Sequence, residues 1–287
     1  MAIAATITGK RVAILTGAAG GIGQALASEF VRAGWQLGIT DVNRAALEAL
    51  AESLGDNVLA VPSDVSDAAS CVALVDRVRG HFGGLHALVN NAAIGMGTIR
   101  QDHFTRQVQI EDVTTEMWQR FLAVNLTGPF FMAKAAIPGF RTQKFGRIIN
   151  VTTSFFTMLN GGWTPYGPSK AGLEAWSAGL SKELDGSGIT VNVVVPGGAT
   201  DTPMVPAESG YARQALIRPE QMAPPMLYLC SEAGAAITGR RFIAANWDAA
   251  LSAQAAAANS GMPIGWPELA ASTAVFPGGP PTYGKPS

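Results

Sequence analysis

Short apolar runs alternate with longer stretches of helical periodicity along most of the chain, and glycine or proline marks many of the boundaries. Residues 11–16 (Arg-Val-Ala-Ile-Leu-Thr) read as a strand, 17–23 as a glycine-rich turn, and 24–33 as a helix that stops at Gly34. The alternation continues, with strands predicted at 35–40, 58–62, 87–90, 146–151, 190–195 and, more weakly, 241–245. Helices are predicted from near Asn43, over 67–82 with Ser66 as N-cap, and over 116–136, 166–184 and 220–230. The strands are apolar on both faces, as in a parallel sheet covered on each side. The expectation is an α/β fold, a doubly wound parallel sheet in three α/β/α layers, forming one domain over residues 1–245. Residues 95–115 lack a clear period and read as an exposed loop. Beyond about 246 the pattern fails. A short alanine-rich helix fits 249–259, and a Pro/Gly-rich tail with Trp266 and Phe276 as lone anchors is expected to lie over the body or a neighbouring subunit.

Chemistry gathers where strands end. Gly17, Gly21 and Gly23 sit between a strand and a helix, so backbone N–H groups can meet a pyrophosphate at a helix N-terminus. The alternative is a tight strand-to-helix connection and nothing more. Asp41 ends the second strand, where a carboxylate accepts from both hydroxyls of an adenosine ribose and repels a 2′-phosphate. That favours NAD over NADP, although Asp41 as a cap for the next helix is the plainer reading, and Arg44 nearby can pair with a phosphate. Asp64 faces either an adenine amino group or its own loop. Asn125, inside a long helix, is either an amide tying two helices together or a group holding water. Tyr166 and Lys170 are four residues apart, one helical turn, so the ammonium can favour the phenolate.

The chain of 287 residues is 48% hydrophobic with a net charge of -1, enough for a full core and without the basic excess a nucleic-acid partner requires. The two cysteines, Cys71 and Cys230, lie in apolar helical patterns and read as buried reduced thiols, with a single bridge between them left open. No metal cluster, signal peptide or bilayer-spanning apolar run is expected, so the reading is a cytoplasmic protein.

Taken in order, Thr16 to Gly23, Asp41, Asp64-Val65, residues 90–93 (Asn-Asn-Ala-Ala), Asn125, Tyr166-x-x-x-Lys170 and Pro196-Gly197 resemble the short-chain dehydrogenase/reductase family over about residues 8–245. The resemblance implies a Rossmann-like dinucleotide fold and a nicotinamide cofactor, NAD favoured and NADP second. It implies cofactor contacts from Gly17, Ala19, Gly21, Ile22, Gly23, Asp41, Asp64, Val65, Asn91, Ala92, Ala93, Tyr166, Lys170, Pro196 and Gly197. The segment after Pro196 runs one residue longer than the family pattern, and contacts there carry onto Ala199 and Thr202. Tyr166 would be the general acid or base, Lys170 would lower its pKa and hold the nicotinamide ribose, and Asn125 would keep a water in the proton path. A hydroxyl thirteen positions before the tyrosine, normally serine, is Thr153 here, with Ser154 beside it. The family is also oligomeric, so a homodimer or homotetramer is expected through the helices around Asn125 and Tyr166.

Phe155, Phe156, Met158, Leu159 and Trp163 fill the stretch before Tyr166. They either line an apolar substrate pocket or pack beneath the tail. The segment 204–218 is expected to act as a lid. The implied reaction is hydride transfer between nicotinamide and a hydrophobic or cyclic secondary alcohol or ketone. Imine reduction, dehydration or epimerisation at the same site, or a silent nucleotide-binding scaffold, are the alternatives.

Overall fold

In the computed structural model, which describes residues 10–268, eight strands form one sheet in the order β3-β2-β1-β4-β5-β6-β7-β8. The strands are β1 (Val12–Thr16), β2 (Gln36–Thr40), β3 (Val58–Ala60), β4 (Ala87–Asn90), β5 (Gly146–Val151), β6 (Ile189–Val195), β7 (Arg240–Ile243) and β8 (Gly261–Pro263). All pairings are parallel except β7 with β8, which run antiparallel. Alternate residues of one strand serve opposite faces. Ala13 and Leu15 pack with Leu26 and Phe30 of α1 (Gly21–Arg32), Leu47 of α2 (Arg44–Leu54) and Met226 of α8 (Ala223–Cys230). Val12 and Ile14 pack with Leu74 and Val78 of α3 (Ala68–Phe82), Met132 and Phe140 of α5 (Gly128–Gln143) and Leu180 of α7 (Tyr166–Glu183). This is the doubly wound, three-layer α/β/α arrangement. The chain reverses direction of travel between β1 and β4, which opens a crevice beyond the carboxyl ends of those strands.

Several local expectations change. Asp67, not Ser66, caps α3, accepting from the Ser70 N–H at 2.6 Å, because Ser66 donates both its N–H and its hydroxyl to Asp64. The helix expected over 116–136 is α4 (Thr115–Leu122), one turn of π-helix (Ala123–Thr127) and then α5, which runs on through Pro138 to Gln143. Thr115–Gln143 is long and apolar enough to cross a membrane by length and composition, contrary to the sequence reading. Its apolar side instead packs on the sheet through Met132, Ala133, Ala136 and Phe140. Cys71 and Cys230 are free and buried in cores on opposite faces of the sheet, which closes the question of a bridge between them. The segment 95–115 holds two 3-10 turns, Met96–Thr98 and Ile110–Asp112, and buries Met96 and Val108. Past residue 245 the chain adds α9 (Ala253–Ser260) and then β8. Phe276 lies outside the described residues.

Candidate active site

The crevice holds a cavity of about 470 Å³. At one end β1 turns into α1. Gly17 has φ +64°, and a Cβ there would sit 2.6 Å from the Ala92 Cα. A Cβ on Gly23 would lie 2.1 Å from the Gly17 carbonyl oxygen. The turn therefore requires glycine at both positions. No side chain caps α1, so the first-turn N–H groups of Gly21, Ile22 and Gly23 have no partner within the helix and border the cavity. The adjoining β4 turn is stitched to the β1 turn: Asn91 Nδ2 donates to the carbonyls of Thr16 and Gly17, each at 3.0 Å. Thr16 Oγ1 accepts from the N–H groups of Asn91 and Ala92. Asp41 reaches the cavity from the tip of β2. Its oxygens accept from the Ala19 N–H (3.1 Å) and the Asn43 N–H (3.0 Å), while Asn43 itself caps α2. Arg44 is turned to Glu48 on the exposed side of α2, 3.3 Å away. Asn91, Ala92, Ala93, Pro196, Gly197, Ala199 and Thr202 complete this end.

Not every candidate arrives. Ala19 offers its N–H to Asp41 and does not line the cavity. Asp64 and Val65 lie outside it as well. Asp64 binds Ser66 and, at 3.0 Å, Arg120, and Val65 is buried against Gly128. Burial works against the Asp64 charge, but hydrogen bonds from Ser66 and Arg120 hold the carboxyl below the usual range.

The other end is built by β5, the short helix α6 (Phe155–Leu159) and α7. Tyr166, Lys170, Thr153 and Ser154 all border the cavity. Lys170 is buried and donates from Nζ to the Val151 carbonyl at 2.8 Å. Ser154 caps α6: its Oγ accepts from the Thr157 N–H at 3.1 Å and exchanges a hydrogen bond with the Thr157 hydroxyl. The Thr153 hydroxyl has no such task and stands beside the Tyr166 phenol. Burial pushes that phenol up to about 12, with Thr153 pulling the other way, and burial pushes Lys170 down to about 7. The sequence expectation was the reverse for the tyrosine. The low polarity of the enclosure dominates, and Lys170 Nζ stands 6.0 Å from the ring centre.

Asn125, in the π turn, is fully buried and does not border the cavity. Its Oδ1 accepts from the Ile94 N–H (2.9 Å), and its Nδ2 donates to the Ile94 carbonyl (3.0 Å) and the Ser169 hydroxyl (3.1 Å). The side chain thus ties the β4 loop to α7. One lone pair on Oδ1 is left for anything else.

Among the aromatic candidates, Phe156 and Trp163 border the cavity. Phe155 and Met158 do not: Met158 is on the buried side of α6, and Phe155 packs on Trp266 with ring centres 5.4 Å apart. Leu159 is 70% exposed. Sequence reasoning missed His103, Phe104 and Tyr211, which also line the cavity. Phe104 meets Trp163 at 6.3 Å and Tyr211 at 5.8 Å, both edge to face. These residues come from two irregular segments, and lone aromatics in polar surroundings were the only signal. The segment 201–218 is pinned by Asp201, which pairs with Arg213 and Arg218.

Residues 11–210 match the family described as short chain dehydrogenase. The chain is 32% identical over 238 residues to the 3-oxoacyl-[acyl-carrier-protein] reductase FabG of Escherichia coli (strain K12), covering 80% of this chain and 93% of that protein. The same identity is found with the FabG of Vibrio cholerae, again over 80% of this chain and 93% of that protein. Among solved structures, the 3-ketoacyl-(acyl-carrier-protein) reductase of Brucella melitensis, complexed with NADH, superposes with a TM-score of 0.70 at 28% identity, over 79% of this chain and 93% of that one.

Proposed function

The chain belongs to the short-chain dehydrogenase family, and from that premise we propose an NAD-preferring oxidoreductase that acts on a hydrophobic or cyclic secondary alcohol or ketone. One observation carries the reading. Tyr166, Lys170 and the Thr153 hydroxyl share a single cavity with the glycine turn and Asp41. The glycine turn fits a dinucleotide, because Gly17 and Gly23 keep clear the space that side chains would fill. When bound, the nicotinamide supplies or accepts the hydride. The protein's own residues then do the rest. The phenol of Tyr166 gives or takes the proton at the substrate oxygen, and Thr153 donates a hydrogen bond to the same oxygen. Lys170 holds the ribose and steadies the charge on the phenol. Ser154 serves the scaffold as a helix cap.

The carboxylate of Asp41, with Arg44 turned to Glu48, supports NAD over NADP. The aromatic wall of Phe104, Trp163 and Tyr211 supports an apolar substrate, and the relatives named for 3-oxoacyl groups add β-keto thioesters to the class worth testing. Exposed Phe130 on α5, 6.0 Å from Trp176 of α7, supports a homo-oligomer built on those helices. The free, buried thiols accord with a cytoplasmic location.

Oxidation of NADH by apolar ketones and by a 3-oxoacyl thioester tests the reading. Tyr166→Phe is expected to lower kcat by about 100- to 10,000-fold with cofactor affinity kept. Undiminished turnover in that variant would remove the tyrosine from the mechanism. Asp41→Ala should narrow the preference for NADH over NADPH, and an unchanged ratio would take cofactor choice away from Asp41.

A further inference from the structure

The segment that leads from β5 to Thr153 is held by a buried ion pair. Arg241, on β7, and Glu174, one turn beyond Lys170 on α7, have side chains 2% and 0% exposed. Burying two charges is costly unless each is fully partnered, and here nearly every donor and acceptor is aimed at the end of β5. Lys170 Nζ takes the carbonyl of Val151. Thr152 Oγ1 donates to Glu174 Oε2 at 2.7 Å and accepts from Arg241 Nη1 at 3.2 Å. Arg241 Nη2 donates to the Thr153 carbonyl at 2.6 Å, and Nη1 binds Glu174 Oε2 at 2.6 Å. Three consecutive residues are therefore gripped one after another, and the third carries the hydroxyl beside Tyr166.

The C-terminal segment completes the grip. Glu174 Oε1 accepts from the Gly265 N–H at 3.2 Å, just past β8. The guanidinium lies 4.2 Å over the Phe155 ring, which also packs on Trp266. The family match ends at residue 210, so neither Arg241 nor Gly265 falls within the matched stretch.

We propose that Arg241 is a positioning residue. By holding Glu174 and the Thr153 carbonyl together, it sets the Thr153 hydroxyl against Tyr166 and makes that placement depend on the chain around Gly265 and Trp266. The proposal rests on Thr153 being the hydroxyl that orients the substrate oxygen.

A double-variant cycle tests it, using NADH and whichever ketone or 3-oxoacyl thioester the wild type reduces fastest. Arg241→Lys keeps the charge but loses the flat fork that spans Glu174 and Thr153. It should lower kcat about ten- to a hundredfold, the scale of a small misplacement of a reacting group, with NADH affinity within about twofold of wild type. In a Thr153→Ala background the same change should cost little more, because the hydroxyl it places is already gone. Losses that multiply across the two sites would overturn the proposal alone. Wild-type turnover in Thr153→Ala would overturn the reading of Thr153, and the proposal with it. Should Arg241→Lys fail to fold, the pair variant R241M/E174M keeps the volume without charges, and the same cycle with Thr153→Ala applies.

Discussion

Lys170 shows how burial shapes a single residue. Its pKa in the folded protein, about 7, lies below the ordinary 10.5. Between those values the unfolded chain binds a proton that the folded chain does not, so this group's contribution to stability rises with pH across that window. Tyr166 works in the opposite sense. Its folded value of about 12 exceeds the ordinary 10.0, so stability is lost as pH climbs from 10 to 12. Lys170→Met removes the first effect and keeps the volume. Its melting temperature should exceed that of wild type most near about pH 6, with the gap shrinking toward about pH 10. A gap that stays constant with pH would show that Lys170 titrates normally. The Tyr166–Lys170 spacing and the position of Thr153 were legible because helical periodicity and a fixed offset encode them. Which hydroxyl is free was not legible, because that depends on α6, a helix of five residues whose cap is Ser154. The cap of α3 was misread for a similar reason. Ser66 and Asp67 are both good caps by type, and only the proximity of Asp64 decides between them.

Elements longer than a few residues were legible in outline, since apolar strands and helical spacing are local signals. Their irregularities were not. The π turn at Ala123–Thr127 interrupts an otherwise continuous helical pattern, and its reason lies 31 residues away, where Ile94 offers both backbone groups to Asn125. The sequence reading stopped the helix at Ala136, just short of the proline at 138. α5 absorbs that proline, since sheet packing by Ala136 and Phe140 on either side holds the helix together. Asn125→Ala leaves the Ile94 N–H and C=O without their side-chain partner. Unfolding free energy should fall by on the order of 3 kcal/mol in urea titrations with an unchanged m-value. An unaltered midpoint would mean that solvent satisfies those groups. The aromatic wall around Phe104 and Tyr211 escaped sequence reasoning because it is assembled from two irregular segments more than 100 residues apart in sequence, where no periodicity operates.

At the level of the whole molecule, the order of strands brings most candidate groups from Gly17 to Thr202 to one cavity, while Ala19, Asp64, Val65, Asn125, Phe155 and Met158 stay outside it. The antiparallel β8 was not legible. Three residues with glycine and proline at their ends carry no strand signal, and only the outward side of β7 gives them a place. That small strand also has a bearing on solubility. A chain cut after Asn246 would leave the outer backbone amides and carbonyls of Arg240–Ile243 open to any passing chain. Light scattering from such a truncated protein should grow with concentration at rest, whereas a chain ending at Glu268 should stay clear. Two clear solutions would mean that β7 is shielded by something other than β8. In this respect three residues act as a bumper, keeping one flank of the molecule from serving as a template for its own precipitation.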